Sequence, residues 1–287
     1  MIQVVRENRL PLTDKRNKGF TMEDQPQVWH YGLVAQLWDE FWSVNTPELA
    51  YLQTQIECYG QPVLDLGCGV GRLLLPLLRA GIDIDGCDIS PDMLKYCAAK
   101  AEREGLTTHL YAQTMHEFNL PRHYQTICCC DSFGLAGSRA LNQETLRRCY
   151  QHLAPGGVLI VNIEAEYASP EGWQLWLKEK RQAFPEAWPQ QSLRQQAADG
   201  SDFVSISRIV AFDPLEQSLT RQMRIEKWLA EKLIAQEEYT LKGYMVFNNE
   251  ILLMLQLAGF SDITVQGDYC EETATADHGM LVYLARK

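Results

Sequence analysis

Residues 63–72 read VLDLGCGVGR, and this stretch decides the fold. The apolar residues of VLDL predict a short buried strand, and a helix is expected to follow as far as Arg79. Three glycines in a GxGxG spacing separate these two elements. Because glycine lets a backbone turn tightly and approach a ligand closely, the segment predicts a binding loop that presents backbone N–H groups.

Two aspartates flank this loop along the chain. Asp65 lies within the first strand, and Asp88 follows about twenty residues later, at the end of a second predicted strand at 82–87. An acid in the first strand repels a pyrophosphate and suits a ligand with an ammonium group, and the dinucleotide fingerprint would be GxGxxG. A carboxylate in the position of Asp88 can accept hydrogen bonds from both hydroxyls of a ribose. The pattern therefore disfavours a nicotinamide dinucleotide as the ligand.

Strands and helices alternate through most of the chain. Strands are predicted at 63–66, 82–87, 109–112, 126–130, 158–163, 263–266 and 280–285, with helices between them at positions such as 91–104, 142–153 and 248–257. This alternation predicts an α/β fold with a doubly wound, mainly parallel sheet and helices on both faces.

Two segments interrupt the alternation. Apolar residues recur at helical spacing over 27–42, and a second short helix is expected at 48–59, which together predict a helical cap before the core. Between 164 and 243 the segments 203–212, 217–228 and 232–244 predict an antiparallel β insertion. The predicted division is a flexible arm at 1–26, the cap at 27–61, a core at 62–164, the insertion or lid at 165–244 and the end of the core at 245–287.

Composition narrows the range of partners. The net charge is −11 and the pI is about 5.1, which argues against nucleic acid because binding phosphates relies on Lys and Arg. No apolar run approaches the roughly 20 residues that span a bilayer. The nine cysteines contain no CxxC pair, so we expect buried thiols of a reducing cytoplasm and no metal site.

The quoted motif resembles that of class I S-adenosylmethionine-dependent methyltransferases, and the resemblance covers residues 63–165 and 255–287. It implies a Rossmann-like sheet of seven strands, the last antiparallel, and an insertion after the fifth strand similar to that of small-molecule N-methyltransferases. The implied cofactor is S-adenosylmethionine, with S-adenosylhomocysteine as product. The cofactor residues that it implies are Tyr31, Asp65, Gly67, Cys68, Gly69, Gly71, Arg72, Asp88, Ile89, Met93, Thr114, Met115 and Asp131.

Two features of this site are specific to the chain. Thr114 stands where the family usually has an aspartate beside the adenine, which removes a carboxylate contact to the adenine amine. Asp131, Glu164 and His278 are expected to line the methyl-transfer cleft as candidate catalytic residues, because each lies at the ligand edge of the predicted sheet.

The expected function is methyl transfer to a nitrogen or oxygen of a small-molecule acceptor by in-line displacement. Three alternatives remain: a non-catalytic protein that binds S-adenosylmethionine, a methyltransferase acting on protein or RNA, and a nicotinamide oxidoreductase. The protein is expected to be a cytoplasmic monomer or homodimer with no membrane or nucleic-acid partner.

Overall fold

The structure is a computed structural model that describes residues 3–5, 30–42, 46–190 and 192–287. Its strands are β1 (Gln3–Val5), β2 (Val63–Leu66), β3 (Ile84–Asp88), β4 (His109–Ala112), β5 (Tyr124–Cys129), β6 (Leu153–Glu164), β7 (Arg194–Gln196), β8 (Asp202–Asp213), β9 (Ser218–Leu229), β10 (Lys232–Tyr244), β11 (Asp262–Gly267) and β12 (Met280–Arg286). Its helices are α1 (Leu33–Phe41), α2 (Thr46–Tyr59), α3 (Leu74–Arg79), α4 (Pro91–Arg103), α5 (Arg139–His152), α6 (Pro170–Gln174), α7 (Lys178–Arg181) and α8 (Asn248–Ala258).

The larger sheet has the order β1-β4-β3-β2-β5-β6-β12-β11. The strands from β4 to β6 pair in parallel, whereas β12 is antiparallel to both of its neighbours, β6 and β11. The seven predicted strands and the antiparallel orientation of the last one are confirmed. The order of the parallel strands reverses beside β2, so the glycine loop lies at a topological switch point, where doubly wound sheets bind ligands.

An eighth strand, β1, was not predicted. Residues 3–5 pair in parallel with β4 at the sheet edge, within the segment that the sequence suggested was a loose arm. Pairing through backbone groups needs no amphipathic pattern, so a three-residue edge strand leaves little signal in the sequence. The remainder of the arm, together with residues 27–29 of the predicted cap helix, lies outside the described residues.

The insertion forms a separate antiparallel sheet of order β10-β9-β8-β7. The three predicted strands are confirmed, with β10 at the predicted bounds, and the short β7 is added at one edge. Strand β10 is the opposite edge. Trp176 packs within this region, with its ring centroid 4.9 Å from that of Phe212.

The cap, the insertion and the core meet in one apolar cluster. Helix α1 buries Leu33, Val34, Ala35 and Leu37 on one face. This cluster also contains the buried residues Val70, Met93, Ala197, Phe203, Met223 and Ile225. Because removing apolar surface from water stabilises a fold, this packing holds the cap and the insertion against the loop end of the core.

Nearly all of the thiols are buried, as expected. All nine cysteines are free, and each is buried except Cys58 and Cys270. Within the described part of the chain, we find no helix with the length and apolar character needed to cross a membrane.

Candidate active site

A cavity of about 920 Å³ lies at the carboxyl-terminal edge of the large sheet. Its floor is formed by the ends of β2, β3, β4 and β5 and the loops after them. The cap contributes His30, Trp38 and Trp42 to its walls, and β10 contributes Thr240, Leu241 and Lys242. Both of the segments predicted to cover the cleft therefore reach it.

Most of the predicted cofactor residues line this cavity. They are Asp65, Gly67, Cys68, Gly69, Arg72, Asp88, Ile89, Met93, Thr114, Met115 and Asp131. Two others, Gly71 and Tyr31, do not line it. The lining residues span the ends of four adjacent strands. An elongated ligand in this cavity can therefore be contacted along the full length of the ligand.

The glycine loop turns where side chains would collide. Gly67 has a φ of +84°, and a Cβ there would lie 2.6 Å from the Cβ of Ser132. Gly71 has a φ of +88°, and its Cβ would lie 2.8 Å from Cys97 Sγ and from Leu75 Cγ. Gly67 thus lets the loop pass close to the end of β5, whereas Gly71 is needed for packing against α3 and α4. The expectation that Gly71 contacts the ligand is not supported, because it faces this packing.

Asp65 is a buried acid on the cavity floor. It is 3% exposed, and burial raises the pKa of its carboxyl from 3.8 to about 7, although Arg72 nearby acts in the opposite direction. Glu48 and Asp88 raise this pKa further because they are negative. A cation beside Asp65 would stabilise its charged form, so this position suits an ammonium group.

Asp88 is held rigidly at the end of β3. Its Oδ2 accepts a hydrogen bond from the Gly69 N–H at 2.9 Å, and its Oδ1 accepts one from the Ser90 N–H at 2.8 Å. Burial raises the pKa of the carboxyl, and these backbone donors and His30 oppose that shift. Each carboxylate oxygen has a second lone pair, so Asp88 can still accept hydrogen bonds from a ligand.

Arg72 joins the cap to the cleft. Its guanidinium binds the buried Glu48 of α2 through both terminal nitrogens, and Nη2 also lies 2.7 Å from Asp131 Oδ2. Burial alone would lower the pKa of Arg72, but its bonds to Glu48 and the charge of Asp131 raise it. The family resemblance implies that Arg72 is a cofactor residue, and Arg72 does line the cavity. The structure shows an interior ion pair at the cavity wall.

Asp131 is oriented from its other side by Asn162. The Asn162 amide donates to Asp131 Oδ1 at 2.7 Å and to the Tyr269 hydroxyl at 2.7 Å, while its Oδ1 accepts from the Asp131 N–H at 2.7 Å. The backbone of Asp131 has a φ of +55°, a conformation that is uncommon outside glycine. With Arg72 on its Oδ2, the carboxylate is fixed at the cavity wall.

The cap enters the site through His30 and Tyr31. The backbone carbonyl of His30 accepts a hydrogen bond from the Ser90 hydroxyl, and His30 lines the cavity. The Tyr31 hydroxyl instead donates to the Ile89 carbonyl at 3.5 Å, beside the cavity wall. Burial, with Asp88 and Asp92, raises the pKa of Tyr31. The structure therefore places Tyr31 next to the lining residues.

Glu164 and His278 do not line the cavity, which corrects their predicted place in the cleft. Glu164 is exposed at the end of β6, where it pairs in register with Met280. The Nδ1 of His278 accepts a hydrogen bond from the Thr275 N–H at 2.8 Å within the loop before β12. Both residues are at the expected edge of the sheet, but β6 lies farther from the switch point than β5, so the edge extends beyond the cavity.

Several residues of the site were missed by sequence reasoning. Glu48, Asn162 and Tyr269 do not line the cavity themselves but hold Arg72 and Asp131 through contacts between residues far apart in the chain, which leave no local motif. His116 and Glu117 directly follow the predicted pair Thr114 and Met115, so their position was a usable signal. In the described ranges no group of His, Cys, Asp and Glu has the arrangement of a metal site.

Known proteins resemble the chain in the same region. Residues 63–157 match the family described as "Methyltransferase domain". A ubiquinone biosynthesis O-methyltransferase of Xanthomonas euvesicatoria pv. vesicatoria is 25% identical over 122 residues, 42% of this chain and 50% of that protein. A dTDP-3-amino-3,6-dideoxy-alpha-D-glucopyranose N,N-dimethyltransferase of Streptomyces fradiae is 28% identical over 144 residues, 47% of this chain and 55% of that protein. The chain thus spans about half the length of these curated relatives.

Likeness of fold extends over nearly the whole chain. The crystal structure of the sugar N-methyltransferase KedS8 from Streptoalloteichus sp. ATCC 53650 superposes with a TM-score of 0.65, covering 98% of this chain and 100% of that one at 16% identity. At this identity the likeness concerns the fold alone. Residues 63–157 therefore match a methyltransferase domain in sequence, and the chain has a Rossmann-like fold similar to that of KedS8 and of an S-adenosylmethionine-dependent methyltransferase from Clostridium acetobutylicum ATCC 824.

Proposed function

We propose that this protein transfers a methyl group from S-adenosylmethionine to a nitrogen or oxygen of a small-molecule acceptor. The observation that carries the proposal is the continuity of one cavity, which joins the glycine loop and Asp88 to Asp131, the cap and β10. Its volume of about 920 Å³ is at the upper end of the range for small-molecule sites, about 300–1,000 Å³. A cavity of this kind has room for a cofactor and a small acceptor side by side.

The residues present fit the cofactor. Asp65 is buried, and among the described residues no cationic side chain lies within hydrogen-bond distance of its carboxyl. The amino group of S-adenosylmethionine would supply the missing positive charge. Asp88, at the end of the next strand, suits the ribose hydroxyls. Ile89, Met93 and Met115 add apolar surface on the same side, which suits the faces of a purine ring.

The bound cofactor supplies a methyl group that its sulfonium charge already activates. The protein then needs mainly to align the acceptor and to exclude water. Trp38, Trp42 and Leu241 give the acceptor side an apolar wall. Asp131, fixed by Arg72 and Asn162, is placed to accept a hydrogen bond from the acceptor and so to orient its attacking atom.

Charge and composition support a small acceptor. The acidic chain offers no basic stripe for RNA, and we propose that neither nucleic acid nor a membrane is a partner. Buried free thiols favour the cytoplasm. By their names, the relatives above are an O-methyltransferase of ubiquinone biosynthesis and an N,N-dimethyltransferase of an amino sugar nucleotide. These names support a small molecule as the acceptor and leave both nitrogen and oxygen open.

A turnover screen tests this proposal. Small amines, phenols and carboxylates are incubated with S-adenosylmethionine and the protein, and formation of S-adenosylhomocysteine is measured. We expect turnover with at least one class, and a stabilising thermal shift with S-adenosylhomocysteine but not with NAD. A shift with NAD alone would contradict the cofactor assignment. Binding of S-adenosylhomocysteine without turnover on small molecules, proteins or RNA would favour a non-catalytic binding protein.

A further inference from the structure

The loop after β4 brings an acidic residue to the cavity, although not at the position where the family usually has one. Thr114 stands at the position that the family usually gives to an acid, yet Glu117 lines the same cavity three residues later. The chain turns back between them, because the Glu117 and Phe118 N–H groups both donate to the Thr114 carbonyl, at 3.1 and 2.9 Å. The turn therefore brings Glu117 back beside Thr114.

Hydrogen bonds orient this carboxylate. The Thr114 hydroxyl donates to Glu117 Oε2 at 3.2 Å, which leaves Oε1 available. The neighbouring Gln113 carries no charge, and its Oε1 already accepts from the Asn119 N–H at 2.7 Å. Within the described part of the chain, no Lys, Arg or His forms an ion pair with Glu117. Glu117 is thus the charged acceptor that this loop presents to a ligand.

His116 in the same loop has a ring nitrogen that faces no partner among the described residues. The Nδ1 atom of His116 is buried and has no hydrogen-bond partner among the described residues, although His116 lines the cavity. Leaving a buried polar atom unpaired costs about 1–3 kcal/mol, so such an atom beside a cavity points to a ligand that pairs with it.

The order of the strands identifies the part of the ligand that reaches this loop. β2 carries the glycine loop, β3 carries Asp88, and β4 lies next on the same side. A nucleoside whose ribose is held at Asp88, with its charged tail at Asp65, therefore has its base at the end of β4. Adenine presents there an exocyclic amine, which donates hydrogen bonds, and ring nitrogens, which accept them.

We propose that Glu117, held by Thr114, accepts a hydrogen bond from the exocyclic amine of adenine, and that His116 Nδ1 pairs with the polar edge of the same base. This inference rests on the proposed function, because it takes S-adenosylmethionine as the ligand. It assigns base selectivity to a residue three positions beyond the one that the family resemblance indicates. A carbonyl in place of the amine would meet the Glu117 carboxylate as one acceptor facing another.

Calorimetric binding of S-adenosylhomocysteine and of S-inosylhomocysteine, which has a carbonyl in place of the amine, tests the inference. The wild-type protein should prefer the adenine ligand by at least about tenfold, and Glu117→Gln should remove most of this preference because an amide can donate to the carbonyl. The matched control is Glu57→Gln, the same substitution at an exposed position on α2 outside the cavity, and it should keep the wild-type preference for the adenine ligand. His116→Phe should weaken both ligands by about two- to tenfold.

The outcomes separate the two proposals. If the wild-type protein binds neither ligand, the proposed function itself is wrong. If it binds S-adenosylhomocysteine and Glu117→Gln keeps the wild-type preference, the cofactor assignment stands and the role of Glu117 is wrong. Unchanged affinities in His116→Phe would remove His116 from the base site.

Discussion

The guanidinium of Arg72 holds the carboxylate of Glu48 with both terminal nitrogens, and Nη2 lies 3.1 Å from Oε1. Glu48 belongs to the cap helix α2, whereas Arg72 directly follows the glycine loop. The two side chains are only 3% and 12% exposed. The cap is therefore joined to the ligand loop by a buried ion pair as well as by apolar packing.

Breaking this pair should destabilise the protein strongly. Glu48→Ala leaves a buried guanidinium without its main partner, and we expect the free energy of unfolding to fall by about 3 kcal/mol. Urea unfolding measures this loss. Glu104→Ala is the matched control, because it removes the carboxylate of an exposed pair with Arg79 and should cost less than about 1 kcal/mol. Equal losses in the two variants would show that the Glu48 pair contributes no more than a surface one.

Asp88→Ala should weaken binding of S-adenosylhomocysteine and also lower stability. Stability should fall because the carboxylate accepts hydrogen bonds from the backbone N–H groups of Gly69 and Ser90. Losing an acceptor for a buried donor costs about 1–3 kcal/mol. Calorimetry and thermal unfolding measure the two effects. Asp88→Asn keeps one acceptor oxygen and should recover part of both losses, whereas unchanged affinity in Asp88→Ala would mean that the ribose is held elsewhere.

The raised pKa of Asp65 predicts a pH-dependent affinity. S-adenosylhomocysteine carries an ammonium group that needs the ionised carboxylate, so binding below about pH 7 must release a proton. Affinity should fall by up to about tenfold per pH unit below that value. Titrations from pH 5.5 to about 8.5 measure this, and Asp65→Asn should bind weakly with a flat profile. The Asn variant shows whether the pH dependence comes from Asp65 or from another group at the cavity. An identical slope in both proteins would assign the proton to another group.

The same shift predicts the pH dependence of stability. The folded protein keeps a proton on Asp65 between the ordinary pKa of 3.8 and about 7, whereas the unfolded chain releases it. Since the folded state binds more protons in this window, the Asp65 contribution to the free energy of unfolding falls as pH rises through it and is constant above about 7. The difference between wild type and Asp65→Asn in urea unfolding should therefore change across the window, and a constant difference would contradict the shift.

Glu237→Ala should loosen the cap. Glu237 of β10 accepts a hydrogen bond from the Leu33 N–H at 2.8 Å, at the first turn of α1. Losing a capping acceptor costs about 1 kcal/mol, so amide exchange in α1 should accelerate about fivefold. Glu238→Ala is the control, because Glu238 binds Arg224 instead. Binding of S-adenosylhomocysteine should slow exchange in α1 of the wild type if the cap closes over the ligand. If amide exchange in α1 is equally fast in Glu237→Ala and Glu238→Ala, the Glu237 hydrogen bond does not hold the cap in place.

The sequence predicted the parts of the site that depend on local pattern. The strand at 63–66, the GxGxG turn and the position of Asp88 follow from apolar runs and turn residues that are adjacent in the chain. The partners of Arg72 could not be predicted, since Glu48 and Asp131 lie 24 and 59 residues away. Glu164 and His278 were misplaced for a related reason. Their position at the sheet edge was correct, but the width of the cavity along that edge depends on tertiary packing.

Strand β10 supplies Thr240, Leu241 and Lys242 to the cavity while it is the outermost strand of its sheet. Its register with β9 is maintained by backbone hydrogen bonds, which do not depend on the identity of these side chains. Natural variation can therefore change all three residues without altering the strand that carries them or the loops at Gly67 and Asp88. Under the proposed function, acceptor choice can evolve independently of cofactor recognition, and laboratory evolution for a new acceptor should begin at these three positions.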